Sequence, residues 1–419
     1  MSESDSLGTF ILGSGIIGLS TAYYLSQEGS TTKAGDIHLV DSSPELFHCA
    51  SGFAGGFLAE NWFAPSVASL GALSFKLHKE LADKYNGRRA WGYRPSTGLS
   101  YNQDSESAIE GSGEDWLRDG TSRMTNVGSR EELNDNKPAW LKKDDGASLD
   151  FISEAKSTAQ IDPARFCQFL QDECVKRGVQ FHYPARAIFI SKSADRQVNG
   201  IRLSENGTET EIPCTRIIIT AGAWSPYVFA TLFPQATTRI PVASLAGHSL
   251  LISNPFNKMP AESEVCRAVF ATDTVGFSPE WFERAGDQEA ELYLAGLNST
   301  VIPLPETATD AKPLPEAMKQ LTECAAVMLR NEEGKDMKVI REALCFRPVT
   351  SSGRPLVCRI PDHKLGNGIK TRSGSSGGVF VAAGHGAWGI SQAPGTGLCL
   401  AELIEGKEPS ASLKALELP

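Results

Sequence analysis

Nothing in this chain of 419 residues is arranged to hold a structural metal or a disulfide framework. Its nine cysteines stand singly at 49, 167, 174, 214, 266, 324, 345, 358 and 399, with no Cys-x-x-Cys and no Cys/His group at zinc spacing. An odd number of scattered thiols reads as reduced cysteine in an intracellular compartment. No basic segment precedes the first apolar stretch, so the opening residues do not read as a signal peptide. No uninterrupted apolar run reaches bilayer length, so no integral membrane segment is expected. The final residues Leu416-Glu417-Leu418-Pro419 are not a peroxisomal Ser-Lys-Leu address. These absences leave a cytoplasmic protein as the expectation. Positive charge is also short: 40 Lys and Arg stand against 50 Asp and Glu, a net charge of −10. That balance argues against nucleic acid or an anionic membrane as the main partner.

What is present is enough apolar residue, 41%, to fill a sizeable core. The length allows two or three domains, or one large discontinuous pair. The most informative stretch is Phe10-Ile11-Leu12-Gly13-Ser14-Gly15-Ile16-Ile17-Gly18. An apolar run ends at Gly13 and an amphipathic pattern begins at Ile16, which predicts strand, glycine turn and helix. Gly13 permits the tight turn, Gly15 lets backbone approach a pyrophosphate, and Gly18 lets the helix pack closely on the sheet. The helix start then faces the phosphates with free N–H groups and a positive dipole. A second strand over 37–40 ends at Asp41, 23 residues beyond Gly18, near the usual spacing of about 20 for a ribose-binding acid. Asp41 would repel a 2′-phosphate, so NADP fits poorly. Taken alone the turn is compatible with an ordinary strand–helix connection; with its flanking strand, helix and acid it predicts dinucleotide binding.

Along the chain, helices are expected over 16–28, 65–85, 163–176 and 314–330. Asp162 is the N-cap of the third, with Pro163 in its first turn and Gly178 as its stop. The small residues from 49 to 57 suit a backbone lying against a flat ring, or else a flexible surface loop. Short strands are expected over 91–101, then at 179–183, 187–191, 198–203 and 216–220, and again at 240–253, 265–271, 291–295 and 378–383. Residues 102–150 read as solvated loops. A loop over 384–390 leads to a last helix, opened by Pro394 and running to 404. The fold class is therefore α/β plus antiparallel β. Residues 1–60, 155–242 and 351–419 form a discontinuous Rossmann-type domain. Residues 61–154 and 243–350 form a second domain on a mixed or antiparallel sheet.

Four separated motifs then agree: the glycine turn, Ile219-Thr220-Ala221-Gly222-Ala223-Trp224-Ser225, Cys345-Phe346-Arg347-Pro348-Val349-Thr350, and Gly384-His385-Gly386-Ala387-Trp388-Gly389-Ile390 with Gly395-Thr396-Gly397. With them the chain resembles the FAD-dependent D-amino-acid oxidase superfamily, with glycine and sarcosine oxidases as relatives and fungal FAD oxidoreductases as the nearest subgroup. The resemblance implies FAD as cofactor, with Gly13, Ser14, Gly15, Ile16, Ile17 and Gly18 at the pyrophosphate and Asp41 and Ser42 at the adenosine ribose. It implies Ser51, Gly55 and Gly56 along the flavin, Ala187 at the adenine edge, and Ala221 and Gly222 under the ribityl region, with Trp224 also counted among the cofactor-binding residues. Gly386, Trp388, Gly389, Ile390 and the start of the last helix would face the flavin's N1–C2=O2 edge, with Gly384 and His385 also among the cofactor-binding residues; positive helix-end potential there suits an anionic reduced ring.

Arg347 matches the arginine that pairs with the substrate carboxylate in amino-acid and glycine oxidases. A planar guanidinium can hold a carboxylate bidentately and fix which C–H faces the ring. The other reading of Arg347 is a structural salt bridge. Cys345 falls where sarcosine oxidases carry the cysteine bonded to flavin. This chain has Arg347 where those enzymes have tyrosine, which favours non-covalent FAD and a buried, inert thiol. His385 reads as structural or ring-edge rather than as a base, and Trp224 and Trp388 as ring-stacking or core residues. The implied reaction is oxidation of the C–N bond of a carboxylate-bearing amine or amino acid, with hydride passing to flavin N5 and molecular oxygen as acceptor. A dehydrogenase using another acceptor, and an FAD-binding regulatory protein with little turnover, are the alternatives.

Overall fold

The computed structural model describes residues 8–102, 137–142, 147–254, 256, 265–272, 276–286, 289–330 and 338–419. Most of the acidic stretch expected to be solvated loop lies outside them.

A six-stranded sheet organises the first half of the architecture. Its order is Leu356–Ile360, Gly378–Ala383, Arg216–Ile219, Thr9–Leu12, Ile37–Val40, Gln180–His182. All neighbours are parallel except the first pair. Parallel strands are buried on both faces, and alternate residues here feed two cores. Ile11, Leu39, Ile218 and Phe380 pack with the helices Ile16–Leu25, Ala68–Lys84, Pro163–Arg177 and Gly389–Ile404. Phe10, Leu12, Ile217 and Val379 pack on the other face, with Phe229 and Leu232 of the Ser225–Leu232 helix and Ile190, Ile201 and Leu203 of a three-stranded antiparallel sheet.

A nine-stranded mixed sheet forms the second half, in the order Val339–Val349, Ala243–Ser253, Ala290–Ser299, Glu280–Ala285, Cys266–Ala271, Arg94–Asn102, Thr158–Gln160, Phe57–Ala59, with Ser148–Ser153 beside Arg94–Asn102. The Pro315–Met328 helix covers one face through Leu321, Cys324 and Met328. The other face carries Phe57, Phe270, Phe282 and Tyr293 and turns toward the first half. Between the halves, Asp162 caps its helix by accepting from Ala164 and Arg165 N–H at 3.0 and 3.3 Å. The same carboxylate pairs with Arg284 of the second sheet at 3.1 Å.

Several boundaries differ from the expectation. The first helix stops at Leu25, because Ser26 leaves the helical conformation and donates to the Tyr23 carbonyl. The segment expected as short strands is one nine-residue strand, Arg94–Asn102. The helix Ala68–Lys84 belongs, on sequence, to the second domain; its buried Leu70, Phe75 and Leu81 pack in the core of the first sheet. The last helix begins at Gly389, not Pro394, which lies inside it.

Candidate active site

One cavity lies between the six-stranded sheet and the inner face of the nine-stranded sheet. On one wall the chain turns sharply at Gly13, with φ of +115°, which a side chain would strain. Gly13, Ser14, Gly15, Ile16 and Ile17 line the wall. Gly18 does not; its role is packing, for a Cβ there would stand 2.0 Å from the Gly13 carbonyl oxygen. The helix that follows has no acid in its first turn and no N-cap side chain, so its dipole is open toward the cavity. Ser51 Oγ accepts from the Ile16 N–H at 2.9 Å, and the Asp41 carboxylate from Ser14 N–H at 2.9 Å and Ser43 N–H at 3.0 Å. Burial pushes the Asp41 pKa up, and the Ser43 and Ser14 donors oppose that shift.

Of the other candidates, Ser42, Ser51, Gly55, Ala187, Ala221, Gly222 and Trp224 line the same cavity, as do His385, Gly386, Gly389 and Ile390. Three more stand behind the wall. Gly56 has φ of +84° and abuts the Ile161 carbonyl; Gly384 has φ of +85° and abuts Thr350. The Trp388 ring packs edge-on against Phe63 and Trp62, with centroids 4.9 and 6.3 Å away. Trp224 donates from Nε1 to the Pro305 carbonyl at 2.8 Å. His385 is buried, its Nε2 3.1 Å from Thr396 Oγ1, and burial lowers its pKa to about 3. It is a neutral, structurally bonded ring at neutral pH.

At the other end the second sheet contributes Phe282, Tyr293, Cys345, Phe346 and Arg347. Phe282 and Tyr293 stack at 5.9 Å, and a Cβ on Gly55 would collide with both rings. Burial pushes the Cys345 thiol up, with Arg347 and Arg341 opposing the shift. Arg347 donates from Nη1 to Asn298 Oδ1. Among the described residues no carboxylate pairs with it.

Sequence reasoning missed the segment that closes the rim. Glu306 and Ala308, both on the cavity wall, reach across to the three-stranded sheet and to the loop after the Ile37–Val40 strand. Glu306 pairs with Arg186 at 2.6 Å, and Ala308 N–H donates to Ser43 Oγ at 3.2 Å. It also missed Phe282, Tyr293 and Asn298.

The lining fits a dinucleotide. The backbone of Gly13 to Ile17 lines the cavity at a helix start that carries no acidic side chain, the setting an anionic pyrophosphate needs. Gly222, with φ of +52°, has no heavy atom within 4 Å of where its Cβ would stand, which leaves space beside the backbone.

The comparisons with known proteins agree. A Schizosaccharomyces pombe protein, known by name only as an oxidoreductase, is 29% identical over 99% of this chain and 98% of its own. The glycine oxidase of Geobacillus kaustophilus superposes with a TM-score of 0.71 at 18% identity, covering 98% of both chains. The iminodiacetate oxidase of Chelativorans sp. BNC1 superposes with a TM-score of 0.68, also at 18% identity and 98% coverage of both. A family model described as FAD dependent oxidoreductase, DAO, matches residues 9–403, and with nearly the whole length matched the chain belongs to that family of FAD-dependent oxidoreductases.

Proposed function

We propose that this protein oxidises the C–N bond of a carboxylate-bearing amine or amino acid. The observation that carries the reading is Arg347: a half-buried guanidinium on the wall of the cavity that the glycine turn also lines, held by a neutral amide. An arginine that only closes a structural ion pair has a carboxylate beside it, and Arg347 has none among the described residues. Its remaining N–H donors can take a substrate carboxylate. In this reading the Gly13–Gly18 turn takes the pyrophosphate, and Asp41 with Ser42 the ribose. Ser51, Gly55 and the start of the last helix would hold the ring, with FAD bound non-covalently.

FAD, when bound, would supply the hydride-accepting chemistry, with molecular oxygen as the final acceptor to give hydrogen peroxide. The protein's own part is orientation. Arg347 holds the carboxylate, and the Phe282–Tyr293 stack excludes water from the far wall. The substrate enters as the neutral amine, so no strong base is required, and His385 remains a structural ring. The product imine leaves and hydrolyses in water. The names of the glycine and iminodiacetate oxidases point to the same small amino-acid class.

The test is anaerobic mixing of the FAD-loaded protein with amino acids, N-methyl amino acids and sugar–amine adducts, following loss of the flavin absorbance. Bleaching by a carboxylate-bearing amine is expected. R347A should lower kcat/KM for it about 100-fold, the scale of a lost charge-assisted pair. Silence across the panel would overturn the reading. Oxygen uptake compared with reduction of an artificial acceptor decides between oxidase and dehydrogenase.

A further inference from the structure

The reach of Arg347 depends on two residues of neighbouring strands. Cys345 pairs with Gly247 on the Ala243–Ser253 strand, and Gly247 in turn with Asn298 on the Ala290–Ser299 strand. Arg347 starts two residues further along, opposite Leu245. Its guanidinium folds back over Gly247 and donates to Asn298 Oδ1 on the strand beyond. The crossing is possible only because Gly247 has no side chain: a Cβ there would stand 2.3 Å from Nη1 and 2.9 Å from Cζ. The strand is irregular at this point, its register shifting between Gly247 and Ser249.

We infer that Asn298 is the positioning residue for Arg347, and that Asn298 and Gly247 together set the site's specificity for a carboxylate. This rests on the role given to Arg347 above. An amide oxygen accepts one N–H and carries no charge, so the guanidinium keeps its full charge and four further donors. An aspartate at 298 would form a closed ion pair and compete with the substrate for the same fork. A side chain at 247 would push the guanidinium off the strand. The arrangement therefore fixes the arginine's direction while leaving its charge unspent.

The test is titration of the FAD-loaded protein with acetate and with benzoate, read as perturbation of the flavin absorbance. Wild type, R347A, N298A, N298D and G247A are compared, each first checked for flavin content. R347A should abolish saturable perturbation. N298A and G247A should weaken it about tenfold. N298D should weaken it about 100-fold at pH 8, where both the introduced carboxylate and the probes are ionised. With an amine substrate, N298A should raise KM far more than it lowers kcat. N298D binding carboxylates as tightly as wild type overturns the inference. If N298D fails to hold FAD, N298A and G247A carry the test, and unchanged affinity in both overturns it. R347A binding as wild type does, or wild type binding neither carboxylate, overturns the role of Arg347 itself and this inference with it.

Discussion

The imidazole of His78 donates from Nε2 to the carbonyl oxygen of Ile390, 2.9 Å away and 312 residues further along the chain. The bond answers a specific deficit. Pro394 lies inside the last helix and has no N–H, so the carbonyl four residues before it, that of Ile390, loses its helical donor. One turn before His78 on the same helix face, Ser74 Oγ accepts from the Gly395 N–H at 3.1 Å. The first turn of the last helix, which lines the cavity, is thus braced from the Ala68–Lys84 helix.

Replacing His78 with Leu should expose this dependence. A buried carbonyl left without a donor costs about 1–3 kcal/mol, and the turn that bears it faces the cavity proposed for FAD. H78L is expected to unfold at lower denaturant and to bind FAD more weakly, whereas H78Q, which keeps an N–H donor, should recover part of both. Denaturant melts and FAD titration of the apoprotein check this; an H78L variant equal to wild type in both would refute the brace.

Acid should destabilise the protein from an early pH. Burial lowers the pKa of His78 to about 4 and of His385 to about 3, and burial with the neighbouring His182 lowers that of His38 to about 4. In the unfolded chain each returns to an ordinary value near 6.5. The unfolded state therefore binds more protons below pH 6.5, and stability rises with pH there. The stability carried by the neutral rings is whole above about pH 6.5 and is lost as pH falls toward 4. Melting temperature measured from pH 8 to 4 should bend downward near 6.5, and H78Q should flatten the bend. A profile level down to pH 5 would contradict the buried neutral rings.

The local parts of this architecture were legible in the sequence. The glycine turn, Asp41 and the Asp162-Pro163 helix start are written in residues a few positions apart. Pro394 misled because a proline in a first turn and one inside a helix look alike locally. What separates them is His78 and Ser74, far along the chain. Asn298, Glu306 and Ala308 likewise gain meaning only from what they touch. Gly247 did leave a trace: an isolated glycine inside an apolar strand pattern marks a bulge or a close approach, and here it is both. Of residues 102–150, 103–136 and 143–146 lie outside the described residues.

Gly18→Ala tests the turn directly. The added Cβ would stand 2.0 Å from the Gly13 oxygen and 2.9 Å from Thr220 Oγ1. Thr220 Oγ1 itself donates to that same oxygen at 2.9 Å. Backbone cannot yield cheaply, so the helix must move off the sheet and carry its N-terminal donors away from the place proposed for the pyrophosphate. Overpacking of this kind costs about 1–3 kcal/mol. The purified variant should carry markedly less flavin per protein than wild type, measured from the ratio of flavin to protein absorbance. Full occupancy would show that the helix start does not depend on this contact.

The rim segment gives a kinetic expectation rather than an equilibrium one. Pro305, Glu306 and Ala308 each hold a different element of the first half: Trp224 through Nε1 at 2.8 Å, Arg186 at 2.6 Å and Ser43 at 3.2 Å. Any dinucleotide leaving the cavity on this side must part these contacts. The Arg186–Glu306 pair is solvent-exposed, so its loss is worth about 0.2–1 kcal/mol, and E306Q should speed FAD release only about 1.5- to 5-fold, less at high salt. Trp224→Phe removes a more protected donor, and a lost hydrogen bond of about 0.5–1.5 kcal/mol should speed release more, with little salt dependence. Dilution of the holoprotein, followed by the recovery of free-FAD fluorescence, measures both. If the two variants and their combination release FAD at the wild-type rate, the segment does not guard the exit and the cofactor leaves by another face.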